Sequence, residues 1–205
     1  MGADYFAVVF VLVLVVLFAG FMRWVAWDFA RDRRSRLLRQ AGEGDAQALY
    51  ELGLELYQEE SRRQSRKAVE CFRRAADAGL AEALAMLGEC YASGVGVERC
   101  AARAVQCWQQ AAGRGCVLAM GFLADYYAEG EAADAALMAH YCHAAARKGD
   151  LDACCRLGLC YLHGKGVKPS RGRAIAWLRY AAERQHAEAS RLLREMQVPF
   201  CGDEP

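Results

Sequence analysis

One pattern recurs four times after residue 45 and leaves few folds open to the chain. The segments AQALYELG (46–53), AEALAMLG (81–88), VLAMGFLA (117–124) and LDACCRLG (151–158) align on Gly53, Gly88, Ala124 and Gly158, which lie 35, 36 and 34 residues apart. A second landmark keeps step: Ala75-Ala76, Ala111-Ala112, Ala145-Ala146 and Ala181-Ala182 are spaced by 36, 34 and 36. Two independent landmarks on one period mark a structural repeat. A unit of this size cannot bury its apolar side alone, so such units stack on one another.

Each unit reads as two helices. In the first, helix A, the apolar or small residues Ala83, Leu84, Leu87, Gly88 and Tyr91 form one helical stripe. A glycine turn follows, Ser93-Gly94-Val95-Gly96-Val97 in the second unit and His163-Gly164-Lys165-Gly166-Val167 in the fourth. Helix B carries a pair before its alanines: Cys71-Phe72, Cys107-Trp108, Tyr141-Cys142 and Trp177-Leu178. Small residues let two helices approach, and a large side chain fills the volume beside them. Gly79, Gly115 and Gly149 stand where a helix end needs a left-handed residue. The chain has only 3 prolines, and good helix formers dominate after residue 40. The expected fold is all-α: an α-solenoid of about four helix-pair repeats plus one N-terminal transmembrane helix.

The pattern A-E-A-x-x-x-L-G-x-x-Y-x-x-G-x-G-V, then A-x-x-W/F-x-x-A-A-x-x-G, resembles the Sel-one-like repeat family, a subclass of tetratricopeptide-type solenoids. Units two and four carry it best, and the resemblance covers about residues 42–196. It implies a helical interaction module and names no partner. Unit one lacks the glycine turn, unit three has Ala124 for glycine and a short turn near Gly130, and unit four ends in Gln185. A secreted, disulfide-rich branch of the family would pair positions 146 and 154; here they are Ala146 and Cys154, so that bridge is absent. AEASRLLREM (187–196) reads as a last helix A with no B partner.

The N-terminus is a separate problem. Residues 6–22 hold no charge, and the stretch 5–27, edged by Tyr5, Trp24 and Trp27, contains only Arg23. Such a helix is long enough to cross a bilayer core of about 30 Å. The flank before it has no Lys or Arg, unlike a cleaved signal. Arg31, Arg33, Arg34 and Arg36 follow it and are candidate lipid-headgroup contacts. The positive-inside rule then places the N-terminus outside and the repeats in the cytoplasm, as a single-pass membrane protein. The expected division is 1–28 anchor, 29–44 basic juxtamembrane helix, 45–196 solenoid and 197–205 tail.

Little in the chain suggests chemistry. Lys+Arg (26) balance Asp+Glu (25), which argues against a global nucleic-acid footprint. The ten cysteines include no C-x-x-C, and most fall in core slots of the repeat. Cys90 and Cys100 flank one turn and would be the pair to meet on oxidation. His140, Cys142 and His143 lie within one turn, with no further ligands placed beside them. No catalytic residue, metal site, cofactor or small-molecule substrate is expected.

The informative deviation is on the face of helix A away from its stripe, where the slots hold Glu51, Glu82, Met86, Leu118, Phe122 and Arg156. Met86, Leu118 and Phe122 there make a candidate partner-binding patch. The same side chains would fit equally between stacked repeats. The expected function is a membrane-anchored scaffold that docks a protein or peptide and is not an enzyme. Two other classes stay open: a cysteine-dependent hydrolase or redox protein, and an exported envelope repeat protein.

Overall fold

The computed structural model describes residues 18–23, 33–59, 61–128 and 133–196, and among them every regular element is helical. After a short helical run at 18–23 come α1 (33–42), α2 (Ala46–Gln58), α3 (Arg62–Asp77), α4 (Ala81–Ser93) and α5 (Ala101–Gly113). They are followed by α6 (Val117–Ala128), α7 (Ala135–Ala146), α8 (Leu151–His163), α9 (Arg171–Ala182) and α10 (Ala187–Glu195). The principal packing joins α2 to α3, α4 to α5, α6 to α7 and α8 to α9, and each hairpin then stacks on the next. The helices α4 and α6 also touch directly, while no comparable contact joins α3 to α5 or α7 to α9. The A helices (α2, α4, α6, α8) adjoin one another on one side, the inner side, through the α4–α6 packing and the Arg156–Asp125 ion pair that joins α8 to α6, and the B helices lie on the other, the outer side.

Side-chain caps begin several helices. The Asp45 carboxylate accepts from the backbone N–H groups of Gln47 and Ala48, Asp134 from those of Ala136 and Leu137, and Asp150 from that of Ala153. Gly79, Gly115 and Gly149 end the B helices with φ of 98°, 86° and 92°. Gln185 takes the same left-handed conformation, with φ 66°, so the missing glycine does not change the turn.

The repeat landmarks meet in three dimensions. A Cβ on Gly53 would lie 2.6 Å from Phe72 Cε1, one on Gly88 2.6 Å from Trp108 Cδ1, and one on Gly158 2.8 Å from Leu178 Cγ. Each of these three hairpins is thus closed by a side chain of helix B seated on a glycine of helix A. Phe72, Trp108 and Leu178 are buried as a result. Unit three makes the opposite exchange: Ala124 replaces the glycine and Cys142 the large side chain, and both are buried. The two glycines of each G-x-G turn do different work. Gly94 and Gly164 end helix A in the left-handed region. Gly96 and Gly166 lie against backbone of the preceding repeat, at Ser65 O and Ala135 O.

Two buried clusters result, and α6 contributes to both: Ala119 and Leu123 to the first, Met120 and Ala124 to the second. That is why α6 is apolar on two faces and shows no clear stripe in sequence. At the N-terminal end, α1 buries Leu37 and Ala41. Its Arg33 pairs with Glu51 at 3.7 Å and Glu55 at 4.0 Å, and Arg34 with Glu59 at 3.2 Å. Exposed pairs of this kind add little stability, but they occupy two of the four arginines expected at lipid headgroups. Arg36 is exposed on α1, and Arg31 lies outside the described residues.

The expectation of a membrane span is corrected. No helix among the described residues is long and apolar enough to cross a membrane. Of the apolar run only 18–23 is described. The remainder of 5–27 lies outside the described residues. A single-pass localisation with the N-terminus outside and the repeats cytoplasmic is therefore not retained.

Candidate functional site

The inner face opens into a cleft between α6 and α8, floored by α7. Its volume is about 180 Å³, and its lining includes Leu118, Phe122, Ala124, Asp125, Cys142 and Arg156. The cause is local. Where the neighbouring hairpins seat Trp108 or Leu178 on a glycine, this one has Cys142 beside Ala124. The smaller pair leaves the volume between two A helices unfilled. Gly121 deepens it, since no atom stands within 4 Å of where its Cβ would be.

The sequence-predicted patch divides on inspection. Leu118 is 39% exposed on the cleft rim. Phe122 is half-buried, its ring 5.5 Å from that of Trp108. Met86 is buried between stacked repeats and presents no docking surface. Glu82 is exposed on α4, and Glu51 is half-buried on α2 beside Arg33. Arg156 reaches from α8 to Asp125 of α6 and joins it in an ion pair across the cleft. Leu118, Phe122 and Arg156 are thus brought together, while Glu51 and Met86 are not. Sequence reasoning passed over Asp125, Asp150 and Asp152 at the same cleft. Their signal was present, in the slots on either side of Phe122 and Arg156.

The electrostatics follow from this geometry. Burial acts against the Arg156 charge, and the adjacent Asp125 carboxylate outweighs it, holding the guanidinium above its ordinary range. Glu89 on α4 is pushed up, first by burial and then by the like charge of Asp125. Asp152 meets His186 Nε2 at 2.8 Å, while His186 Nδ1 accepts the Ala189 N–H at 3.2 Å and caps α10. That second bond assigns the proton of a neutral ring to Nε2, which donates to Asp152.

The cysteines behave as core side chains. Burial pushes the thiol of Cys90 up to about 12 and those of Cys142, Cys154 and Cys155 to about 11. Cys71, Cys107, Cys116 and Cys160 are raised for the same first reason. None of these eight is held as a thiolate, the form a nucleophile needs. Cys154 Sγ donates to the carbonyl of Ala146 at 3.8 Å, so the two positions of the disulfide-rich branch do adjoin, as a thiol and a methyl group. All the described cysteines, Cys90 and Cys100 included, are free thiols. His140 packs edge-on to Tyr141 and His143 to Trp177. No group of three or more His, Cys, Asp or Glu among the described residues could hold a metal ion. In native protein the eight raised thiols are expected to resist iodoacetamide and to react once urea is added. Mass spectrometry of the alkylated peptides reads this directly. Rapid native labelling of any one of them would restore the cysteine-enzyme reading.

Stacked helical hairpins with an inner groove define a helical-repeat protein of the tetratricopeptide type. The Sel1 repeat family profile matches residues 46–80, 81–116 and 151–186, more than half of the 205 residues, and the chain belongs to that family. The profile passes over 117–150, the hairpin that holds the Ala124–Cys142 exchange. Among solved structures, the Sel1 repeat protein from Oxalobacter formigenes is 29% identical with a TM-score of 0.67. That match covers 80% of this chain and 48% of the other. The protein c5321, a protective antigen present in uropathogenic Escherichia coli strains and displaying an SLR fold, is 31% identical with a TM-score of 0.71. It is covered over 36% of its length by 80% of this chain. The chain thus spans about half of the first structure and about a third of the second. No curated protein matches the chain. Sel1 repeats generally mediate contacts between proteins and are typically not catalytic.

Proposed function

We propose that this chain is an interaction module whose inner face docks a segment of another protein in the cleft between α6 and α8. One observation carries the reading. The stack is closed by a large side chain on a glycine in every hairpin but the third, and there an apolar rim stands open with Leu118 39% exposed. An aromatic at the edge of an apolar pocket is the usual anchor point of such interfaces. The arrangement supplies shape and charge, which suits a scaffold or adaptor.

The test is a double variant, Leu118→Asp with Phe122→Ser, compared with native protein in capture and affinity measurements. Circular dichroism melts show whether the fold survives. Loss of an anchor of this kind is expected to weaken a genuine partner by about tenfold or more. A partner bound equally by both proteins docks elsewhere and overturns the proposal. If the double variant melts early, Leu118→Asp alone, at a half-exposed rim position, repeats the comparison.

A further inference from the structure

The near-neutral net charge of +1 conceals a division between the two sides of the stack. The A helices α2, α4, α6 and α8 carry six carboxylates, Glu51, Glu55, Glu82, Glu89, Asp125 and Asp152, against the single cation Arg156. The B helices α3, α5, α7 and α9 carry ten Lys and Arg against the two carboxylates Glu70 and Asp77. The inner face is thus acidic and the outer face basic.

The acidity is unevenly compensated along the inner face. At the N-terminal end Arg33 comes over from α1 to Glu51 and Glu55. At the cleft Arg156 meets Asp125, and the His186 ring meets Asp152. No Lys or Arg among the described residues pairs with Glu82 or Glu89. Uncompensated repulsion is visible in the raised carboxyl of Glu89, to which Asp125 contributes after burial. An acidic row therefore runs past the apolar opening at Leu118 and Phe122, in a groove that focuses its field.

We infer that the segment docked in this cleft is cationic: an apolar side chain seats between Leu118 and Phe122, and flanking Lys or Arg side chains meet Glu89, Asp125 and Asp152. The inference rests on the docking reading and adds the chemistry of the partner. A carboxylate offers about four lone-pair sites, so Asp125 and Asp152 accept a partner's cation while keeping Arg156 and His186. Complementary charge of this kind sets selectivity and approach rate, and the apolar anchor sets residence.

Three dye-labelled peptides test it on the full chain by fluorescence anisotropy. One combines leucine with arginine, the second replaces each arginine by glutamate, and the third keeps arginine and replaces leucine by serine. Each carries a photo-crosslinker so that the docked site is mapped. The leucine–arginine peptide is expected to bind and crosslink to α6 or α8. It should weaken by about tenfold in high salt, where the Debye length contracts, and by a similar factor in Glu89→Gln with Asp125→Asn. The serine peptide should bind more weakly by a comparable factor. Tighter binding of the glutamate peptide at the cleft would overturn the cationic inference and leave the docking reading standing. Crosslinks of the arginine peptides confined to the outer helices would likewise overturn it. Failure of all three peptides to bind would sink both.

Discussion

Gly166→Ala is expected to destabilise the C-terminal repeats by about 2–5 kcal/mol, the sum of overpacking and a left-handed alanine. Gly166 has φ 69°, and an added Cβ would lie 1.8 Å from Ala135 O and 2.3 Å from Ala135 C. Both atoms belong to the backbone at the start of α7, so no rotamer change relieves the clash. Either the turn after α8 or the first turn of α7 must move, and with it the stacking of one hairpin on the next. The melting temperature should fall by roughly 10 °C. Hydrogen exchange should show the loss in α7 to α9 before α2 and α3, because stacked repeats couple chiefly to their neighbours. Gly121→Ala is the control. No atom stands within 4 Å of its new Cβ and it lies inside α6, so it should be neutral or more stable by up to about 1 kcal/mol. Coincident melts for Gly166→Ala and native protein would refute the role given to the second glycine.

Trp108→Ala should cost about 3–5 kcal/mol, as large aromatic truncations in cores do. The indole is 4% exposed, and its Nε1–H donates to the Ala85 carbonyl at 3.1 Å. Its ring lies 5.5 Å from Phe122 and 6.1 Å from Tyr126, so removal also undercuts the cleft rim. Trp108→Phe keeps a ring on Gly88 and should recover part of the loss. A double-mutant cycle isolates the contact. Alone, Gly88→Ala brings a methyl group to 2.6 Å from the indole and should destabilise. In the Trp108→Ala background the indole clash is gone and only the Ala104 carbonyl remains close, at 3.1 Å, so the same change should cost much less than it does alone. Urea titrations of the four proteins decide it. Additive effects would show that ring and glycine are independent.

Much of this architecture is legible in the amino-acid order. The period of about 35 residues, the glycine and alanine landmarks and the apolar stripes specify paired helices that must stack. The core places of Cys90, Cys154 and Cys160 follow from register alone. The candidate patch is only partly legible. Met86 and Phe122 share one repeat slot, and Glu82 and Leu118 another, yet Met86 is buried while Phe122 is half-buried and Leu118 exposed, because α4 has α6 packed against it and α6 faces an opening. The membrane span expected from the apolar run near the N-terminus is not retained, because no helix among the described residues is long and apolar enough to cross a membrane.

Taken alone, the residue order determined the repeat, the pairing of helices within it and the membership of a stacking fold, since these depend on spacing along one chain. Only the tertiary arrangement decided that Gly166 abuts a neighbouring backbone and that the acidic helices line the inner side. It alone opened a cleft where Ala124 and Cys142 stand in for a glycine and a large side chain. The physical reason is that these features are distances between residues far apart in sequence, set by how volumes fill when hairpins pack. No local preference encodes such a distance.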